Sequence, residues 1–457
     1  MINNLAVSIL LLAFFASVSF NGFFRSIAKK NKLLIDIPDK SRKFHFRATP
    51  LTGGLGIFFG ILVSAILISG LTDANYSVDL SKKGFLESSQ LQDRPVSKNF
   101  EVGNKQYSLS LNKKSNAKIS VEIQSDEDSN IVDIVPIAED KFKAILPNGD
   151  EKVYFIDSGD VIEISSSNQT VDIFSPKNTD NINLNNFTIS LYICALFIML
   201  FMVLDDFYNI KPVIRLCFQF LISGLMIAMS GEYLGNLGNL FGTGVIDLGI
   251  FSIPFTILCV VGIMNAFNMI DGLNGICASL ALIPIAYVTY LGNFSYGLLI
   301  PIGAILGFLA YNLGYLGKKR RVFLGDSGSN MLGFAVAFIC IEYSQDISHL
   351  SYINPVTALW LVFIPLVDCI AVVTVRLING ITPFTPGRDH LHHRLLNMDI
   401  KPKKILIIFI LLAVFLSLIG FTIELFYPNK EYISFFTFCA FATFYFLISN
   451  SGRSKNV

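Results

Sequence analysis

The sequence predicts an all-α polytopic membrane protein of about eleven transmembrane helices, with a small β-rich extracytoplasmic domain inserted towards its amino end. Three observations lead there. Of 457 residues, 53% are hydrophobic and only 15% are charged, whereas soluble domains carry about 25% charged residues. Runs without Asp, Glu, Lys or Arg recur at 1–24, 48–72, 181–204, 248–270, 347–367, 405–423 and 432–452, and a helix needs roughly 20 apolar residues to cross a bilayer. Residues 72–186 break the pattern with 19 acidic and 12 basic residues, a net charge of −7 against +8 for the rest. A single water-soluble globule is excluded, because one core rarely grows past about 250–300 residues. The seven cysteines show no Cys-x-x-Cys spacing, so neither a zinc or thiol-redox motif nor a disulfide framework is indicated.

The expected spans, in order, are 4–24, 51–71, 187–204, 213–231, 250–270, 275–291, 296–315, 329–344, 355–378, 404–426 and 432–450. The first run lacks a basic n-region and a small-residue cleavage site, so it reads as an uncleaved anchor; the alternative is a signal peptide. Loop 25–50 holds Arg25, Lys29, Lys30, Lys32, Lys40, Arg42, Lys43 and Arg47, which places it in the cytoplasm. Counting forward, loops 205–212, 268–276, 316–328 and 379–403 are also cytoplasmic. Residues 272–317 are one charge-free run of 46, long enough for two spans with a turn at Gly292-Asn293. Residues 213–231 and 327–344 are weaker candidates. The domains are therefore 1–71 (membrane, first part), 72–186 (extracytoplasmic insert) and 187–457 (membrane, second part). Alternation in Tyr107–Leu111, Ile119–Ile123 and Val161–Ile164, with turn residues between, reads as short strands. A disordered acidic linker is the alternative.

Polar residues gather at Lys43–Gly54, Asp205-Asp206, Asn265–Asn274, Phe323–Asn330 and Pro383–His393. All five fall at the cytoplasmic end of a span or in the loop beside it, which predicts one shared site. Asp205 and Asp206 are adjacent carboxylates at a membrane edge, suited to a general base and a Mg²⁺ ligand; the bland alternative is a solvated helix end. In Phe323-Leu-Gly-Asp-Ser-Gly-Ser329, Gly325 and Gly328 allow backbone N–H groups to approach an anion, and Asp326 can bind metal; the alternative is an ordinary turn. Asn265, Asn268 and Asp271 recur at i+3 and share a helix face, able to read a nucleobase, ribose or acetamido group. An interhelical hydrogen-bond network is the competing reading. Arg388-Asp-His-Leu-His-His393 could hold a pyrophosphate or move a proton through His390, His392 and His393. A zinc site competes, although no Cys joins it. Arg42, Lys43, His45 and Arg47 could bind phosphate or simply obey the charge rule, and Asp368 pairs with Arg376 or faces the site.

Together these motifs resemble the polyprenyl-phosphate N-acetylhexosamine-1-phosphate transferase family (glycosyltransferase family 4), over everything except 72–186. Thr382–His393 is similar to the undecaprenyl-phosphate GlcNAc-1-phosphate transferase branch. The resemblance implies transfer of a HexNAc-1-phosphate, favouring GlcNAc-1-phosphate, from a UDP-sugar to undecaprenyl phosphate with release of UMP. Such a step initiates cell-envelope glycans such as lipopolysaccharide O-antigen. UDP-GalNAc, UDP-QuiNAc and UDP-FucNAc stay open as donors.

The resemblance also implies roles. Asp326 and Asp206 hold Mg²⁺, with Mn²⁺ as a substitute. Asp205, Asp206 and His392 are catalytic. Phe323 stacks on uracil, with Asn268 and Asp271 near the nucleoside, and Asn265 also binds substrate. Lys211, Arg47, Arg388, His390 and His393 bind substrate. Position 274 is Asn where many members carry a second Asp, so no carboxylate pair is expected there. The expected setting is the bacterial inner membrane, with a cytoplasmic active site and no nucleic acid as partner. A homodimer and an envelope partner for residues 72–186 are left open. A transporter or flippase predicts polar residues near mid-membrane, and the one-sided clustering argues against it. A scaffold with a degenerate membrane part is opposed by the intact Asp and His clusters.

Overall fold

The computed structural model describes residues 4–36, 48–72, 186–208, 210–291, 296–345, 353–383, 387, 389–427 and 430–450, and the backbone of short strands between 86 and 174. It divides into two compact units, one of Met1–Ile68 with Leu184–Val457 and one of Ser69–Asn183.

In the larger unit the helices are α1 (Asn4–Asn31), α2 (Gly53–Thr72), α3 (Asn186–Tyr208), α4 (Pro212–Ser230), α5 (Ser252–Ile270), α6 (Ile276–Leu291), α7 (Tyr296–Asn312), α8 (Gly325–Gln345), α9 (Pro355–Leu361), α10 (Phe363–Ile378), α11 (Leu391–Asn397), α12 (Pro402–Phe426) and α13 (Glu431–Asn450). Between α1 and α2 a two-residue strand, β1 (Ile35–Asp36), pairs antiparallel with β2 (Thr49–Pro50). Each expected span overlaps a helix. Among the described residues, six helices are long and apolar enough to cross a membrane, seven if α9 and α10 count as one. Helical stretches at 53–68, 276–290 and 297–312 are apolar but shorter. The expected turn Gly292-Asn293 lies outside the described residues, between α6 and α7.

Residues 355–378, expected as one helix, are bent by 79° between α9 and α10. Pro365 has no N–H to return to Leu361, so the i→i−4 ladder fails there and restarts with Leu366 N donating to Val362 O at 3.0 Å. The bend seats Trp360, fully buried, against Gly420 of α12, and its Nε1 donates to Ser434 Oγ of α13 at 3.0 Å. α4, α9 and α12 each open with proline at the first turn, where the missing N–H removes no helical bond.

The backbones of α1 and α7 approach closely. A Cβ at Gly303 would collide with Leu10 O, and one at Gly307 with Phe14 O, so only glycine lets these helices meet.

In the smaller unit, β4 (Ser97–Val102), β5 (Lys105–Ser115), β6 (Lys118–Ser125), β7 (Ser129–Ala138), β8 (Lys141–Ile145) and β9 (Glu151–Phe155) follow one another as an antiparallel sheet in chain order. β3 (Leu86–Glu87) pairs with β10 (Val161–Ser165), which pairs with β11 (Thr170–Phe174).

Candidate active site

Asp205 and Asp206 end α3, and Arg215 begins the next helix after the tight Lys211-Pro212 entry. This brings the guanidinium back over the carboxylates. Arg215 Nη1 donates to Asp205 Oδ2 at 3.0 Å and to Asp326 Oδ2 at 3.3 Å. Asp326 sits in the first turn of α8, 111 positions after Arg215, so carboxylates from two distant helices share one cation. Its other oxygen, Oδ1, accepts from Asn268 Nδ2 at 3.2 Å, and the same amide reaches Ser329 Oγ at 3.0 Å.

Both oxygens of Asp205 are engaged. Oδ1 accepts from Ile210 N at 2.8 Å, Oδ2 faces Arg215, and the residue is buried. Asp206 differs: among the described residues its buried Oδ2 has no hydrogen-bond partner, and it lies 3.5 Å from where a Cβ at Gly325 would stand. Asp36 and Asp326 both lie close enough to Asp206 to act on it electrostatically. The two expected catalytic carboxylates are thus unequal, one locked and one available.

Phe323 is placed by backbone bonds. Its N–H donates to Pro50 O at 2.8 Å, while Gly53 N and Gly54 N donate to Phe323 O and Leu324 O at 2.9 and 3.1 Å. The Pro50–Gly54 segment therefore clamps the entry to α8. Gly328, expected to offer its N–H to an anion, is buried against Gly54 instead. Lys211 is exposed in the turn between α3 and α4.

Asn265, expected to bind substrate, sits in an interhelical amide ladder. Its Nδ2 donates to Gln219 Oε1 at 2.8 Å, Gln219 Nε2 donates to Asn330 Oδ1 at 2.7 Å, and Asn330 Nδ2 donates to Asp326 O at 2.8 Å. One turn of α5 separates Asn265 from Asn268, and that turn moves it from the carboxylates into the α4–α5–α8 packing. Asp271 caps α5. Burial, with the Asp326 carboxylate adding to it, pushes Asp271 up to about 7.

His392 and His393 lie on a short helix, α11, with His390 at its N-cap, where a loop was expected. His392 is fully buried, and among the described residues neither ring nitrogen has a partner. Burial and the neighbouring His393 press its pKa down to about 3, so it is neutral. A Cβ at Gly272 would overlap His392 Nε2, so the bare glycine beside Asp271 admits the ring. This contact joins the histidine segment to the carboxylate group. His390 and His393 ring centroids lie 5.6 and 4.1 Å from that of His392. Asp368 resolves its two readings: it pairs with His390 Nδ1 at 2.7 Å, and Arg376 pairs with Asp389 at 3.1 Å. Arg388 and Arg47, with Arg42, Lys43 and His45, lie outside the described residues.

Sequence reasoning did not single out Arg215, Gln219 or Ser329. A lone Arg three residues into an otherwise apolar expected span was the available signal, because an unpaired cation there is costly.

The donor set suits a hard divalent cation: carboxylate oxygens, one of them buried and unpartnered. Among the described residues no three His, Cys, Asp or Glu side chains group closely enough to encage a metal. Two protein carboxylates plus substrate phosphate is a composition that Mg²⁺ accepts.

Residues 188–344 match the sequence model of glycosyl transferase family 4. That range holds the carboxylates, Arg215 and the amides, and stops short of the histidines. An undecaprenyl-phosphate alpha-N-acetylglucosaminyl 1-phosphate transferase of Yersinia pestis is 36% identical over 233 residues, 50% of this chain and 63% of its own length. The protein of that name from Escherichia coli (strain K12) is 35% identical over 242 residues, 51% of this chain and 65% of its own. The one from Haemophilus influenzae is 31% identical over 274 residues, 58% of this chain and 76% of its own. The match thus spans a little under two thirds of the first two relatives.

Proposed function

This chain belongs to glycosyl transferase family 4, and we propose that it transfers GlcNAc-1-phosphate from UDP-GlcNAc to undecaprenyl phosphate, releasing UMP. The observation that carries the reading is that Arg215 ties Asp205 to Asp326, with Asp206 near enough to both carboxylates to feel their charge. Phosphoryl transfer asks mainly for positioning and charge neutralisation.

In this reading Asp206, whose Oδ2 is buried without a hydrogen-bond partner among the described residues, accepts the proton of the lipid phosphate or ligates the metal. Asp205, buried with an N–H donated to each of its oxygens, fixes Arg215. Arg215 holds Asp326 in place. Asn268 keeps the other Asp326 oxygen oriented, and Asp271 and Phe323 line the nucleoside side. His392, neutral and seated on Gly272, packs the histidine segment towards the diphosphate. Asp206 and Asp326 would hold Mg²⁺, which supplies Lewis acidity and neutralises diphosphate charge. An oxygen of the lipid phosphate then attacks the β-phosphorus, and the bond from that phosphorus to the bridging oxygen breaks in line to release UMP.

We further read the chain as crossing a bacterial inner membrane eleven times, with this site on the cytoplasmic side and residues 72–186 outside. The acceptor lives in the bilayer and the nucleotide sugar in the cytosol, and both reach a site at the inner membrane edge.

The deciding experiment is a panel of radiolabelled UDP-sugars with undecaprenyl phosphate, with and without Mg²⁺. Labelled lipid and UMP from UDP-GlcNAc are expected only with the cation. Transfer from another UDP-amino sugar alone overturns the donor assignment, and no transfer from any overturns the activity.

A further inference from the structure

Asp368 is a carboxylate with 1% of its surface exposed, carried on α10 inside an apolar bundle. A buried anion is tolerated where it is fully hydrogen-bonded. Three donors from two elements meet it. His390 Nδ1 lies 2.7 Å from Oδ2, while Leu391 N and Tyr445 OH donate to Oδ1 at 3.2 and 2.9 Å. His390 and Tyr445 are themselves buried. Arg394 Nη1 donates to Ile448 O at 3.2 Å, so α13 meets the histidine segment once directly and once through Asp368.

A carboxylate facing Nδ1 fixes the proton on that nitrogen and leaves the lone pair on Nε2. The ring's orientation is fixed with it. His390 stacks on His392, which sits on Gly272 next to Asp271, so the oriented ring belongs to the wall of the site above.

We propose that Asp368 and Tyr445 are positioning residues for the transfer reaction, locking His390 in the Nδ1–H form so that Nε2 keeps its lone pair and accepts a hydrogen bond from a hydroxyl or N–H group of the nucleotide sugar. Tyr445 restrains Asp368 from rotating, and Asp368 restrains His390. The inference rests on the activity proposed above.

The test uses the full-length chain in lipid nanodiscs, with Asp368→Asn and Tyr445→Phe. UMP release gives kcat and KM for UDP-GlcNAc. Nitrogen NMR on histidine-labelled protein reads the ring tautomer, the His390 signal being the one lost in His390→Gln. An amide at 368 can present its N–H₂ to Nδ1 and reverse the tautomer. Expected for Asp368→Asn is a kcat about 10- to 100-fold lower, KM within about threefold, and a His390 signal of the opposite tautomer. Wild-type kcat, or an unchanged tautomer, overturns the proposal. Should Asp368→Asn fail to fold, Tyr445→Phe decides: a lowered kcat with mixed His390 tautomers supports it, and wild-type values of both overturn it. If wild-type protein releases no UMP from UDP-GlcNAc, the activity assignment fails, while the NMR signal still reports whether Asp368 sets the ring of His390.

Discussion

Asp205 and Asp326 lie on different helices and are bound to the same nitrogen, Arg215 Nη1, at 3.0 and 3.3 Å. Two carboxylates brought together repel. A shared guanidinium offsets that repulsion while leaving Asp206 Oδ2 unengaged.

Replacing Arg215 with Gln should therefore leave Asp205 buried and uncompensated. Removing one partner of a buried ion pair costs about 3–5 kcal/mol; Arg215 is 32% exposed, so the lower end or less applies. UMP release should fall by about 100-fold or more, and Arg215→Lys should recover part of it. A Gln variant with wild-type turnover contradicts the clamp.

Asn265 belongs to the amide ladder, and Asn265→Ala should behave as a packing defect. Thermal unfolding should show a loss of about 0.6–2 kcal/mol, with KM for the UDP-sugar unchanged. A raised KM with unchanged stability would return Asn265 to the substrate.

Gly272→Ala places a methyl group on His392 Nε2. The histidine segment must shift, and turnover should drop about 10-fold or more. The double variant with His392→Ala should show no additional loss from the methyl group. If Gly272→Ala alone is fully active, the ring does not sit on this turn.

His392 is held near 3, below its unfolded value of 6.5. Between those values the unfolded chain binds the proton and the folded chain does not, so stability falls as pH drops below about 6.5. At pH 5 the cost is up to about 2 kcal/mol. His392→Ala should flatten the slope of melting temperature between pH 7 and 5, whatever its absolute stability; an unchanged slope shows that His392 is not the group responsible.

If Asp206 and Asp326 hold Mg²⁺, adding the ion should raise the melting temperature of the wild type by mass action. Asp326→Asn should lose both that rise and nearly all UMP release. Near-normal turnover in this variant rules out the metal assignment.

The helices were legible wherever charge was absent over a long run, as in 272–317, whose two halves became α6 and α7. The bend at Val362 was written in Pro365, but hydropathy, which averages over a window, passes across it. The carboxylates at 205, 206 and 326 were legible because charge at a membrane edge is expensive enough to imply a purpose. Arg215 was passed over because its span was judged by apolarity alone. The i+3 spacing assigns a face and not a depth: Asn268 reaches Asp326, whereas Asn265, one turn deeper, meets Gln219, as the interhelical reading expects. The partner of Asp368 could not be read from spacing, since His390 returns to it only after the chain leaves the membrane helix and folds back.

The fit of α7 onto α1 has a consequence for how the chain is made. Leu10 and Phe14 leave the ribosome almost three hundred residues before Gly303 and Gly307. The leading helix must wait without its mate while the acidic segment 72–186 and the helices before α7 are made. Substitutions at those glycines should thus surface first as losses during biosynthesis, with less protein reaching the membrane, before any purified sample reveals a catalytic defect.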